Sequence, residues 1–188
     1  MAGFSEAVRG IADLQCAPLD AAGKPGMNTD YVGVKSFVIE GASETDEQQG
    51  DDQVLFTSSG DRSLDITTSA ALANLAVLGV VTGVAPVTAG AEGNRITTWE
   101  SPASLPTRFV QITGQSSARD TAGGAMRITV LKASLASDPT WNLEAGSWLE
   151  PEMSFKGVAL GDSLLRVQSF QSAEEIPADG AETAGLPR

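Results

Sequence analysis

The sequence predicts a mainly β domain with one short α-helix, on three observations. Short runs in which apolar and polar residues alternate recur along most of the chain, as on half-buried strands. Twenty Gly and nine Pro punctuate those runs. A single stretch, AALANLAVLGVVTG, is rich enough in Ala and Leu to favour a helix instead. The length of 188 residues fits one medium-sized domain rather than two. Apolar residues make up 41% and aromatics only 5%, so Val, Leu, Ile and Ala must supply most of the core.

Taken in order, residues 12–20 read as a short extended segment, ended by Pro18 and by the turn-rich run 21–28 with Lys24, Pro25 and Gly26. Residues 31–40 read as a strand with Val32, Val34 and Val38 on one face and Phe37 and Ile39 on the other. Its far end is therefore predicted to be covered on both sides, which points to a partner. Residues 41–52, GASETDEQQGDD, hold five acids, no base and no long apolar side chain, and read as a long hairpin loop before a strand at 53–58. After a turn at 59–61, residues 63–67 alternate with Leu64 and Ile66 inward and Asp65 and Thr67 outward.

Ser69 is placed to cap a helix over 70–81, with Gly83 as its stop. Leu72, Leu75, Ala76 and Leu78 recur at spacings of three and four, and so little polar surface remains that deep cover is predicted. Further strands are expected at 95–99, 107–113, 125–135, 148–160 and 164–170. Within 126–135 the apolar phase switches from Met126, Ile128 and Val130 to Leu131, Ala133 and Leu135, which predicts a bulge or a change of partner. Residues 1–171 thus form one β-domain. Residues 172–188, with Glu174, Glu175, Asp179 and Glu182, read as an acidic flexible tail.

The chain contains no His, which excludes Ser-His-Asp and Cys-His nucleophilic sites and removes the commonest transition-metal ligand. Cys16 is the single Cys, so an intrachain disulfide is impossible and a buried structural thiol is expected. Residues 1–10 have no apolar h-region, so no signal peptide is expected, and 70–85 is too short and too interrupted for a membrane span. A formal charge of −12 disfavours direct binding to nucleic acid, which needs a basic surface. That charge is concentrated: residues 41–52 contribute −5 and the tail from 172 contributes −3, leaving −4 for the body.

The remaining motifs have plain readings. Gly161-Asp162-Ser163-Leu164 spells a block known from esterases, yet it lacks a His to take the Ser proton and reads as a turn. Lys35, Lys132 and Lys156 offer no spacing that singles out a Ser-Lys dyad. Asp61 with Asp65, and Glu150 with Glu152, are the carboxylate pairs available for acid–base chemistry, but they look like solvated strand residues. Asp46, Glu47, Asp51 and Asp52 provide hard oxygen donors for calcium without an EF-hand spacing, against the simpler reading of a solvated hairpin tip. Trp99, Trp141 and Trp148 are irregularly spaced and read as core or intersubunit packing. No cofactor is expected.

The order of these features resembles the major tail tube protein of long-tailed bacteriophages. The resemblance rests on the double-sided strand at 31–40, the polar hairpin at 41–52, the Ala/Leu helix and the later run LEAGSWLEP into MSFKGVAL. It implies a β-sandwich or barrel-like core flanked by the helix, and six copies in a ring whose inner strands close into a continuous barrel. Rings would stack into a tube for DNA passage, with tape-measure and tail terminator proteins as further partners, in a virion assembled in the host cytoplasm. In that family the long loop reaches the adjacent ring, which makes Glu44, Asp46, Glu47, Gln48, Gln49, Asp51 and Asp52 the candidate inter-ring residues. An acidic lumen would let DNA slide without sticking, since duplex phosphates are dense and repulsion acts over about 8 Å. A capsid decoration or head-tail joining protein, and a His-independent hydrolase, are the alternatives.

Overall fold

The computed structural model describes residues 9–50, 53–104, 107–117, 125–142, 144–146 and 149–170. Its elements are β1 (Arg9–Pro18), β2 (Thr29–Asp30), β3 (Val34–Gly50), β4 (Gln53–Ala70), α1 (Leu75–Thr82), β5 (Val87–Ala89), β6 (Ile96–Thr98), β7 (Phe109–Ser117), β8 (Ala125–Leu135), β9 (Glu152–Gly157) and β10 (Leu165–Phe170). One antiparallel sheet runs β2-β1-β7-β8-β9-β4-β3, with β10 added beside β8, while β5 and β6 form a separate hairpin. The mainly β architecture is the one the sequence predicts. The acidic tail at 172–188 lies outside the described residues.

Alternation sets the core. Leu14 and Cys16 of β1, Val110 and Ile112 of β7, Val130 and Ala133 of β8, Met153 and Phe155 of β9 and Leu64 and Ile66 of β4 bury their side chains in one cluster. Cys16 opposes Ile112, Ile112 opposes Val130, and Ile66 opposes Phe155, so a one-residue slip of any pair would turn core residues toward solvent. Burial pushes the Cys16 thiol up to about 12, which makes it the inert structural thiol expected. The sheet curls until β3 packs against β1. There the Phe37 ring occupies the space over Gly114, where a Cβ would sit 2.6 Å from it. Glycine is required at 114 because the ring takes the room of a side chain. Val77, Leu78, Val81 and Thr82 of α1 are buried in the same core.

The structure moves the helix start. Ser69 and Ala70 remain in β4, opposite Glu152 and Val34, and the Ser69 hydroxyl bonds that of Ser36 at 2.6 Å. The cap is Asn74: its Oδ1 accepts from the amides of Ala76 and Val77 at 3.1 and 3.3 Å, while its Nδ2 donates to the Asp30 carbonyl at 2.8 Å. Sheet pairing thus outbids the local capping signal at Ser69. Gly83, with φ 77°, ends the helix as predicted. Leu72 falls outside the helix and is 56% exposed, Val32 falls in the turn before β3, and Val38, on the face expected to need a partner, is 45% exposed in the single chain.

The phase switch in β8 is real. Its first half, up to Val130, pairs with β10, and from Ala133 to Leu135 the same edge pairs with β9. The β7 register shifts across Gln111, and the Val158 amide bonds the Lys132 carbonyl at 2.9 Å where the partners change.

Two outcomes test this packing. Val77→Asp buries an unpaired charge in a site with no solvent exposure and should cost several kcal/mol, abolishing the cooperative unfolding transition; a native-like melt would contradict the core as described. Asp13, half-buried on β1, has its carboxyl raised above the ordinary 3.8 by burial and by the neighbouring Asp30 carboxylate. The folded chain therefore holds that proton more tightly than the unfolded one, so this carboxyl's contribution to stability is greatest below 3.8 and is lost as pH rises through the raised value. Asp13→Asn should flatten denaturant midpoints measured from about pH 3 to pH 7, and an unchanged slope would contradict the assignment.

Candidate functional site

The feature that departs most from an ordinary small β-domain is the length of β3 and β4. β9 pairs with β4 only from Leu64 to Ser69. Beyond Ser43 and Arg62 the two strands continue as a two-stranded ribbon to Gly50 opposite Gln53. At roughly 3.3 Å per residue, the arm from Ser43 to Gly50 reaches about 25 Å. The long loop read from the sequence is therefore a correction: Glu44, Asp46, Glu47, Gln48 and Gln49 lie in β3, with Asp46 opposite Ser58, Glu47 opposite Thr57, Gln48 opposite Phe56 and Gln49 opposite Val54. Asp51 and Asp52 lie outside the described residues.

The ribbon forms because each arm satisfies the other's backbone groups whatever the side chains are. The turn read at 59–61 is absorbed as a bulge: Gly60 and Asp61 stand against the single Glu44 between the pairs Ser43 with Arg62 and Thr45 with Ser59. Leu55 is likewise extra between the pairs at Gln48 and Gln49, and Lys35 is extra at the base. Such bulges raise the local twist. Lys35, at the base, forms an ion pair with Glu150.

Among the described residues, edges without a partner strand include the outer side of β3, the outer side of β10, and β4 beyond Leu64. Between the last two lies an open cleft of about 740 Å³, lined among others by Arg62, Leu64, Val158, Gly161 and Leu165. At the opposite seam, where β3 returns to β1, an apolar groove of about 470 Å³ is lined by Ile11, Phe37, Met126 and Ile128.

The other candidate residues are dispersed. Ser163 is exposed in a tight turn, its amide and carbonyl both bonded to Leu160, with Gly161 at φ 62°. Lys156 bonds Asp65 at 2.8 Å, and the Lys132 ammonium lies 4.1 Å from the centre of the Phe109 ring. With Lys35 on Glu150, the three lysines considered for a Ser-Lys dyad are all engaged, as are two of the four acids considered for acid–base work. Trp99 packs half-buried against the core with an unpartnered buried Nε1, Trp141 is 41% exposed, and Trp148 lies outside the described residues.

One constellation escaped the sequence reading. Gln111, Thr113 and Gln115 of β7 and Thr129 and Arg127 of β8 are all buried, and Arg127 donates through Nε and Nη2 to Gln115 Oε1 at 3.1 and 3.0 Å. A buried polar face alternates along a strand as a wet one does, so the period alone gives no signal.

No protein-family model and no curated protein matches the chain. The ribbon and the open edges accordingly carry the functional reading by themselves. Replacing residues 46–58 with a two-residue turn should leave the body's melting temperature unchanged, because β9 pairs with β4 only from Leu64 to Ser69, and should abolish any higher-order assembly seen by sedimentation. Assembly equal to wild type would remove the ribbon from the site.

Proposed function

We propose that this chain is a structural virion protein, the ring-forming subunit of a bacteriophage tail tube, whose stacked rings make a channel for DNA during ejection. The observation that carries the reading is a ribbon too long for its own domain. A two-stranded ribbon is marginal in water by itself, and unpaired strand edges invite another chain. A second copy is the economical source of that chain, since repeating one contact head to tail closes rings.

Charge supports the same reading. Counted from the sequence, residues 43–62 hold six acids and one base, at the end of the hairpin that would reach a neighbouring ring. The net charge of −12 per copy, multiplied around a ring, suits a conduit that polyanions traverse and suits a DNA binder poorly. Tape-measure and terminator proteins would be its further partners, and the tail of the virion its location.

Electron microscopy of the purified chain tests this directly. Rings or tubes with a central hole, appearing as concentration rises, are the expected result. Monomers or compact dimers alone, across concentrations and salts, would overturn the proposal.

A further inference from the structure

Resting on that ring-forming reading, we infer that the seam between neighbouring copies is a strand pair, the outer edge of β3 on one copy against the outer edge of β10 on the next, registered by Glu40 facing Arg166.

Both residues are left over by the single chain. Glu40 is exposed on β3 directly opposite Asp65, a like charge, and Asp65 already takes Lys156. Arg166 on β10 is opposite Thr129. Neither Glu40 nor Arg166 has an ion-pair partner among the described residues. Each sits on an edge without a neighbouring strand there, and neither edge segment, 34–42 nor 165–170, contains the Pro or clustered charge with which natural edges repel pairing.

The faces agree as well. Ile39 opposes Ile66 on the core side of β3, so Glu40 lies on the outer side. Leu165 and Val167 oppose Val130 and Ile128 on the core side of β10, so Arg166, opposite Thr129, lies on the face away from the core, where it is half-buried. Four antiparallel steps, β3 to β4 to β9 to β8 to β10, leave β3 and β10 running the same way. Rotation about a ring axis preserves that sense, so the seam is parallel. Setting Glu40 against Arg166 then brings Ile39 against Leu165, which the single chain leaves 37% exposed, with Val167, 54% exposed, one position further along. A slip of one residue would put Glu40 on the apolar side, so the charge pair and the apolar contact select one register together. Pairing β3 with β3, or β10 with β10, would set like residues near one another and give closed dimers rather than rings.

Charge reversal tests the seam. Glu40→Arg and Arg166→Glu, made separately in the full chain, should each raise the concentration needed for assembly by at least about tenfold in sedimentation velocity, since like charges would face each other at every seam. The double variant should return it to near the wild-type value. Glu92→Arg, on the exposed turn between β5 and β6, is the control for net charge and should have no such effect, and circular dichroism should show all four folded. Single variants that assemble like wild type, or a double variant that does not recover, would overturn the seam and leave the tube reading standing. A wild-type chain that never assembles would overturn both.

Discussion

Backbone groups at a strand edge must find partners or water, and everything distinctive about this chain follows from how many it leaves at edges. The curled sheet satisfies most of them within one copy. It stops doing so along β3, where a strand running from Val34 to Gly50 has β4 on one side and, among the described residues, no strand on the other. β9 supports only the base of that hairpin. The rest is a ribbon whose own hydrogen bonds barely repay the entropy of ordering it. On the proposed reading such an element invites association with a second copy, and the acids of the ribbon would limit which partners it accepts.

The body gives that ribbon a rigid root. Ile66 and Leu64 anchor β4 against Phe155 and Gly157, and Phe37 locks β3 over Gly114. Small changes at the root would therefore swing a long lever. The Lys35 bulge and its ion pair with Glu150 fix where the lever begins, and the bulge at Gly60 and Asp61 fixes how it twists. The Asp13 and Asp30 carboxylates, near the other end of the sheet, are tied through the Asp30 carbonyl to the Asn74 cap of α1.

Much of the fold was legible where a pattern had a single physical meaning. The alternation of Leu64 and Ile66, or of Met153 and Phe155, fits only a half-buried strand, and the phase switch in 126–135 marked the residue stretch where β8 changes partners. Gly83 ended α1 as a left-handed cap must. Failures came where local chemistry and long-range pairing competed. Residues 41–50 carry no apolar signal, so they read as loop, yet a polar strand is stable when its partner is already in register. Ser69 looked like a cap and was claimed by β4 instead. Arg127 was invisible because burial does not alter the period of a strand. Asp51 and Asp52 lie outside the described residues, so that part of the candidate set has no structural counterpart.

The central claim is that the sheet is completed only between copies, and amide hydrogen exchange along β3 measures this most directly. In dilute, dissociated protein the outward-facing amides of 34–50 should exchange rapidly while those bonded to β4 at the hairpin's base stay protected; on assembly the outward set should become protected too. Outward amides already slow in the monomer, or equally fast after assembly, would contradict the account.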